Sequence, residues 1–269
     1  MDIIVLVKAA VMGIVEGLTE FLPISSTGHM ILAGNFISFT GEKAKLFEVF
    51  IQLGAKLAIV WVYKDRILTL CRNLPKDKGV QGFALKILVA FMPAAIVGLA
   101  THKLIKQYLF GPVTVSFALV VGGLIILLIE AMKHSDEAQE MESLTYRMAL
   151  WVGIAQVLAL FPGVSRSGAT IMGGIVAGMS RKASTEFSFF LAIPTMFAAT
   201  IFDFAKSAGS LTGSDIGMLG VGFVFAFFSA IWVVKWLIKF VSTNNFRPFA
   251  YYRIVFGGVL LVYYLTHRG

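Results

Sequence analysis

Six apolar stretches, beginning near residues 46, 82, 112, 186, 216 and 249, run long enough to cross a bilayer. A helix needs about 20 apolar residues to traverse about 30 Å of hydrocarbon. Backbone groups in lipid must be satisfied within the segment itself, so stretches of this kind have to be helices. The 269 residues are 58% hydrophobic and only 14% charged, with mean hydropathy +0.83. Soluble domains run near about half apolar and a quarter charged, so an all-α polytopic membrane protein built as one membrane domain is expected. Its 24 Phe and 26 Gly suit bulky lipid-facing side chains beside small residues that let helix backbones approach.

A single cysteine, Cys71, excludes an internal disulfide framework and a cysteine-rich metal cluster. The net charge of +8 is scattered between apolar segments. That pattern implies orientation in an anionic membrane, and no nucleic-acid partner is expected.

Three further apolar pieces, 24–39, 148–161 and 168–179, are too short to span. The stretches 3–39 and 148–180 therefore read as two re-entrant helical hairpins, whose polar tips at membrane depth must be covered by protein or line a water-filled cavity. Their tips are expected at Phe21 to Ser26 and Phe161 to Ser167, broken by Pro23 and Pro162.

A single offset of 140 residues places Gly13, Ile14, Leu18, Phe21, Ser25, Gly28, Ile31 and Gly34 on Gly153, Ile154, Leu158, Phe161, Ser165, Gly168, Ile171 and Gly174. Such self-similarity signals an internal duplication. The copies read as about 1–133 and 145–269, joined by an acidic, aqueous connector at 134–144. A hairpin followed by three spans per copy is an odd number of crossings, so the second copy enters from the opposite face. The expected fold is thus an inverted-topology repeat with six transmembrane helices plus two re-entrant helical hairpins.

Charge supports that topology. Lys64, Arg66, Arg72, Lys76, Lys78, Lys133, Arg147, Arg181, Lys182, Lys239 and Arg247 fall on one side, and Lys8, Lys43, Lys45, Lys103, Lys106, Lys206 and Arg268 on the other. The richer side is expected to be cytoplasmic, with both termini facing outward.

The two copies share a scaffold and differ in charge: Glu16 stands opposite Gln156, Glu20 opposite Leu160, His29 opposite Ala169, and Arg166 replaces Ser26. Ionisable groups at membrane depth are costly and point to function; a buried structural ion network is the plainer alternative. Glu16 and Glu20, four residues apart on one helix face, need a cation between them. Arg166 from the other hairpin is one candidate. A hard divalent cation, Mg²⁺ or Ca²⁺, held by Glu16 and Glu20 as metal ligands, is another.

The motifs "PISSTGH" and "PGVSRSG" each open a half-helix after a proline. Unpaired amides and the positive dipole end favour an anion there. Ser25 and Ser165 serve either as helix caps or as donors to that anion. Ser26 and Arg166 differ between the copies and are the stronger candidates for direct contact, since a guanidinium can hold two phosphate oxygens. An anion site inside lipid, most simply for phosphate, implies an amphiphilic substrate with its tail in the bilayer.

At these residues the chain resembles the bacterial undecaprenyl-diphosphate phosphatases, also called bacitracin-resistance proteins. The likeness covers essentially the whole chain and is carried by "EGLTEFLPISSTGHM" and "PGVSRSGATI", with "FEVFIQLGA" (Phe47 to Ala55) and "EFSFFLAIP" (Glu186 to Pro194) in support. It implies hydrolysis of a C55 polyprenyl diphosphate to the monophosphate carrier of cell-wall synthesis plus inorganic phosphate. It also implies a bacterial plasma (inner) membrane location, a site facing the periplasm or outer surface, a homodimer, and dependence on a divalent cation. By that likeness Glu16, Glu20, Ser26, His29 and Arg166 take the catalytic positions, and Ser25, Thr27, Ser165 and Ser167 the flanking substrate-binding ones. A second lipid phosphatase family, with a Lys-x6-Arg-Pro element ahead of its histidine motifs, does not fit: seven residues rather than six lie between Lys239 and Arg247, the pair comes last, and no histidine follows Arg166 at the needed spacing.

The expected chemistry is phosphoryl transfer driven by positioning and charge neutralisation. Ser26 attacks with His29 as base and later acid, or His29 itself attacks or activates water. A polyprenyl-phosphate flippase or secondary transporter shares the inverted-repeat logic. It does not call for the Glu16, Glu20, Ser26, His29 cluster.

Overall fold

The computed structural model describes residues 3–109, 111–132, 139–207 and 215–266. Lys133, Arg268 and connector residues 134–138 lie outside the described residues, as do the side chains of Lys45, Lys103, Lys106 and Lys206. Among the described residues eleven helices follow in order: α1 (Ile3–Thr19), α2 (Ser26–Phe36), α3 (Glu42–Val62), α4 (Lys64–Asn73), α5 (Lys78–Tyr108), α6 (Pro112–Ala131), α7 (Tyr146–Leu158), α8 (Arg166–Val176), α9 (Arg181–Ser207), α10 (Ile216–Val241) and α11 (Arg247–Thr266).

Among the described residues, α5 over Lys78–Thr101, α6, α10 and α11 are long and apolar enough to cross a membrane. A fifth span arises if Leu46–Val62 of α3 and α4 count as one broken helix, bent by 71°. The bend falls where "IVWVY" gives way to "KDR". Helix α4 buries none of its residues and carries Lys64, Arg66 and Arg72 of the richer basic side. Asp65 in its first turn and Arg72 in its last complement the helix dipole.

The two tip regions form as their prolines dictate. Helix α1 ends at Thr19, the chain turns through Pro23, and α2 begins at Ser26; α7 ends at Leu158 and α8 begins at Arg166. Both restarts use the same device, a serine with positive φ: Ser25 at 70° and Ser165 at 75°. A non-glycine residue rarely adopts this conformation, and holding it there takes support from the surroundings.

Close backbone approaches seat these hairpins. A Cβ on Gly13 of α1 would come within 2.3 Å of the Gly222 carbonyl oxygen of α10, and one on Gly153 of α7 within 2.6 Å of the Ala90 carbonyl oxygen of α5. Helix α6 packs along α11, α3 along α10 and α9, and α8 along α7 and α9. The largest core cluster gathers Phe21 and Ile24 of the first tip with Ile171 of α8, Phe189 of α9 and Val233 of α10. Phe21 meets Phe189 edge-on at 5.4 Å. Outside, large apolar side chains such as Leu99, Phe228 and Val255 are exposed, the surface a lipid-embedded chain presents.

Candidate active site

The two tips meet around a cavity of about 160 Å³ lined by Glu20, Ser25, Ser26 and Thr27 of the first hairpin, Gln52 of α3, and Ser165 and Arg166 of the second. Its polar wall is a connected row. The Ser26 hydroxyl donates to Glu20 Oε2 at 2.6 Å, and Arg166 Nη2 lies 3.6 Å from Glu20 Oε1. Glu20 thus holds a hydroxyl with one oxygen and a guanidinium with the other. Arg166 is anchored from behind, its Nη1 donating to the Ser188 carbonyl oxygen at 3.1 Å. The Thr170 and Ser188 hydroxyls share a hydrogen bond of 2.6 Å, and Thr170 also donates to the Arg166 carbonyl oxygen at 2.9 Å. The fork is therefore pre-aimed, which is what electrostatic binding of an oxyanion requires.

Glu16 lies one helical turn from Glu20 and is 1% exposed, with neither carboxylate oxygen meeting a hydrogen-bond partner. Glu20, Lys56 and Glu48 are the charged groups within electrostatic reach of it. A buried carboxyl group without donors is costly, so this position suits a cation. Among the described residues no group of three or more His, Cys, Asp or Glu comes together to hold a metal ion. A divalent ion here would rest on Glu16 and Glu20 and take its remaining ligands from water and phosphate oxygens.

Of the five expected catalytic residues, Glu20, Ser26 and Arg166 line the cavity, whereas Glu16 and His29 do not. Nδ1 of His29 lies 2.8 Å from the Ser25 carbonyl oxygen, which can only accept, so Nδ1 carries the proton. Nε2 of the neutral ring then accepts from the Tyr252 hydroxyl at 2.6 Å. The ring is stacked on Phe256 at 4.5 Å.

The hydroxyls flanking the motifs divide their tasks. Ser165 caps α8, accepting from the Gly168 amide at 3.1 Å, whereas Ser25 makes no side-chain cap to α2. Ser25, Thr27 and Ser165 line the cavity. Ser167 does not; it is wholly buried and donates to the Leu22 carbonyl oxygen at 2.8 Å, stitching one tip to the other.

Sequence reasoning passed over a second stitch. Arg253 of α11 is 0% exposed and directs its guanidinium at five backbone carbonyls: Pro23 of the first tip, Gly163 and Val164 of the second, and Ala118 and Leu119 of α6. Space for it comes from Gly122, where a Cβ would fall 2.0 Å from Nη2. The signal was present, since Arg253 stands alone inside the apolar run from 249. Gln52, Ser188 and Tyr252 carried no such mark, because a neutral polar residue in a helix is unremarkable until its neighbours are known.

A family model described as bacitracin resistance protein BacA matches residues 9–259. The chain is 51% identical over 261 residues to an undecaprenyl-diphosphatase of Dechloromonas aromatica, with 97% of this chain and 95% of the relative covered. It is 52% identical to one of Nitrosomonas europaea, covering 97% and 96%, and 50% identical over 273 residues to one of Herminiimonas arsenicoxydans, covering 100% and 98%. With the tip motifs, the cavity between them and a match along nearly its full length, this chain belongs to the bacitracin resistance protein family.

Proposed function

We propose that this membrane protein is a phosphatase that hydrolyses undecaprenyl diphosphate to undecaprenyl phosphate and inorganic phosphate, at the cavity between the two tips. The observation that carries the reading is the row Ser26, Glu20, Arg166: a hydroxyl on a carboxylate at 2.6 Å, with a guanidinium on the same carboxylate. The Ser26 Oγ attacks the terminal phosphorus while Glu20 accepts its proton. As the new P–O bond forms, the bridging P–O bond breaks and Glu20 passes the proton to the departing monophosphate. Water then attacks the phosphoserine, giving a proton to Glu20. That proton returns to Ser26 as inorganic phosphate leaves.

Arg166 and the amides opening α2 and α8 bind the phosphate oxygens, with Ser25, Thr27 and Ser165 as further donors. The geometry favours Ser26 over His29 as the attacking group, since both ring nitrogens of His29 are already engaged, by the Ser25 carbonyl and the Tyr252 hydroxyl. His29 holds the Ser25 carbonyl and so steadies the turn that presents Ser26. A divalent cation bound by Glu16 and Glu20 would neutralise charge on the diphosphate.

The reading includes the architecture: two inverted repeats, 1–133 and 145–269, of six spans and two re-entrant hairpins. Supporting it, Ser25 and Ser165 share a conformation and Gly13 and Gly153 share a packing role at the 140-residue offset. Ion pairs join segments expected on a common side: Arg181 with Glu130 at 2.6 Å and Arg66 with Glu142 on one, Lys43 with Asp215 at 3.0 Å on the other. The richer basic side is the cytoplasmic face of the inner membrane, the site opens outward, and the chain assembles as a homodimer.

The test is release of inorganic phosphate from undecaprenyl diphosphate by the purified protein, with and without chelator. Ser26→Ala and Arg166→Ala should abolish turnover, and a trapped phosphoenzyme should map to Ser26. Unchanged turnover in both variants removes the assignment.

A further inference from the structure

Gln52 lies in the cavity wall yet has no part in the row described above. Its partner decides what it offers. Lys56, one turn further along α3 and 2% exposed, donates from Nζ to Gln52 Oε1 at 3.2 Å. An ammonium can only donate, so the side-chain oxygen of Gln52 must be the atom that faces it. The amide therefore cannot exchange its ends without setting two donors against each other, which leaves the –NH₂ end as what Gln52 has for the cavity.

The cavity wall also carries Arg166 and four hydroxyls beside the N-termini of α2 and α8, all suited to an anion. A neutral, oriented donor from a third direction completes an enclosure around phosphate oxygens and adds no charge. The asymmetry of the repeat agrees: 140 residues on, where Phe187 and Phe190 match Phe47 and Phe50, Ala192 stands for Gln52 and Met196 for Lys56. As with Glu20 and Arg166, the twin copy lacks both groups.

We infer that Gln52 is a substrate-binding residue that donates from its amide to a phosphate oxygen of the diphosphate, and that Lys56 is a positioning residue that sets the amide's orientation. The inference rests on the phosphatase reading above and deepens it.

Gln52→Glu is the sharpest test, because it keeps the shape and the acceptor for Lys56 while replacing the donor with an anionic oxygen. With undecaprenyl diphosphate as substrate, KM should rise at least about a hundredfold in Gln52→Glu and about tenfold to a hundredfold in Gln52→Met, with kcat falling less than KM rises. Lys56→Met should raise KM by a smaller factor, and Lys56→Arg should restore it. A purely structural Lys56 would lower the unfolding temperature without this split. Titration with inorganic pyrophosphate reads the same subsite without turnover, and its affinity should weaken in both Gln52 variants. If the wild type releases phosphate and Gln52→Glu or Gln52→Met keeps the wild-type KM and pyrophosphate affinity, the inference is overturned while the phosphatase reading stands. If the wild type releases none, that reading fails, and equal pyrophosphate affinity in wild type and variants overturns the subsite as well.

Discussion

At the scale of single residues, Glu16 and Glu20 separate into unlike roles although they sit one turn apart on the same helix. Glu20 is spoken for by Ser26 and Arg166, which joins the cavity row and, in the proposed mechanism, makes it the proton acceptor. Removing its basicity while keeping its shape, Glu20→Gln, should lower kcat by about a hundredfold to ten-thousandfold, measured as phosphate release at saturating substrate. Arg166 is held so that its planar fork faces one way, by Ser188 behind it. Lysine cannot reproduce that geometry. Arg166→Lys should therefore behave far closer to Arg166→Ala than to wild type, with KM raised at least about tenfold.

At the scale of elements, the short helices α2 and α8 are useful because their first turns are pinned. Ser25 and Ser165 hold a conformation that L-residues seldom take, and two buried devices hold the strained turns in place: Ser167 on Leu22, and Arg253 on carbonyls from both tips and α6. Arg253→Met keeps the bulk and deletes the donors. Several buried carbonyls would then lack partners at about 1–3 kcal/mol each. The variant should unfold at markedly lower temperature and lose phosphate release even where folded protein is recovered. A matched pair probes the hairpin seats. Gly13→Val and Gly153→Val should each destabilise by about 1–3 kcal/mol or more through overpacking against α10 and α5. A large cost in one and none in the other, by thermal unfolding in detergent, would argue against equivalent roles for the two hairpins.

At the scale of the whole molecule, the topology makes a claim that labelling can read. The natural thiol, Cys71, is exposed on α4, on the face expected to be cytoplasmic. In intact cells a membrane-impermeant maleimide should leave Cys71 unlabelled and should label Lys43→Cys placed in a Cys71→Ser background. The reverse pattern would turn the orientation over. Much of this architecture was legible in the chain. Span-length apolar runs demand helices because lipid offers no hydrogen-bond partners, and the 140-residue echo with prolines at both tips marked where helices break. The bend into α4 was not legible, because a basic stretch between spans reads equally well as loop or helix. At the site, the sequence alone determined which chemistry was available: carboxylates, hydroxyls, a guanidinium and two helix starts at membrane depth. Only the tertiary structure decided which of them touch. Glu20, Ser26 and Arg166 share a wall while His29 turns to Tyr252, Ser167 becomes a stitch, and Gln52 and Arg253 acquire work no motif announced. Spacing along a chain constrains partners only within one helix, whereas a contact spanning more than a hundred residues depends on how whole helices cross.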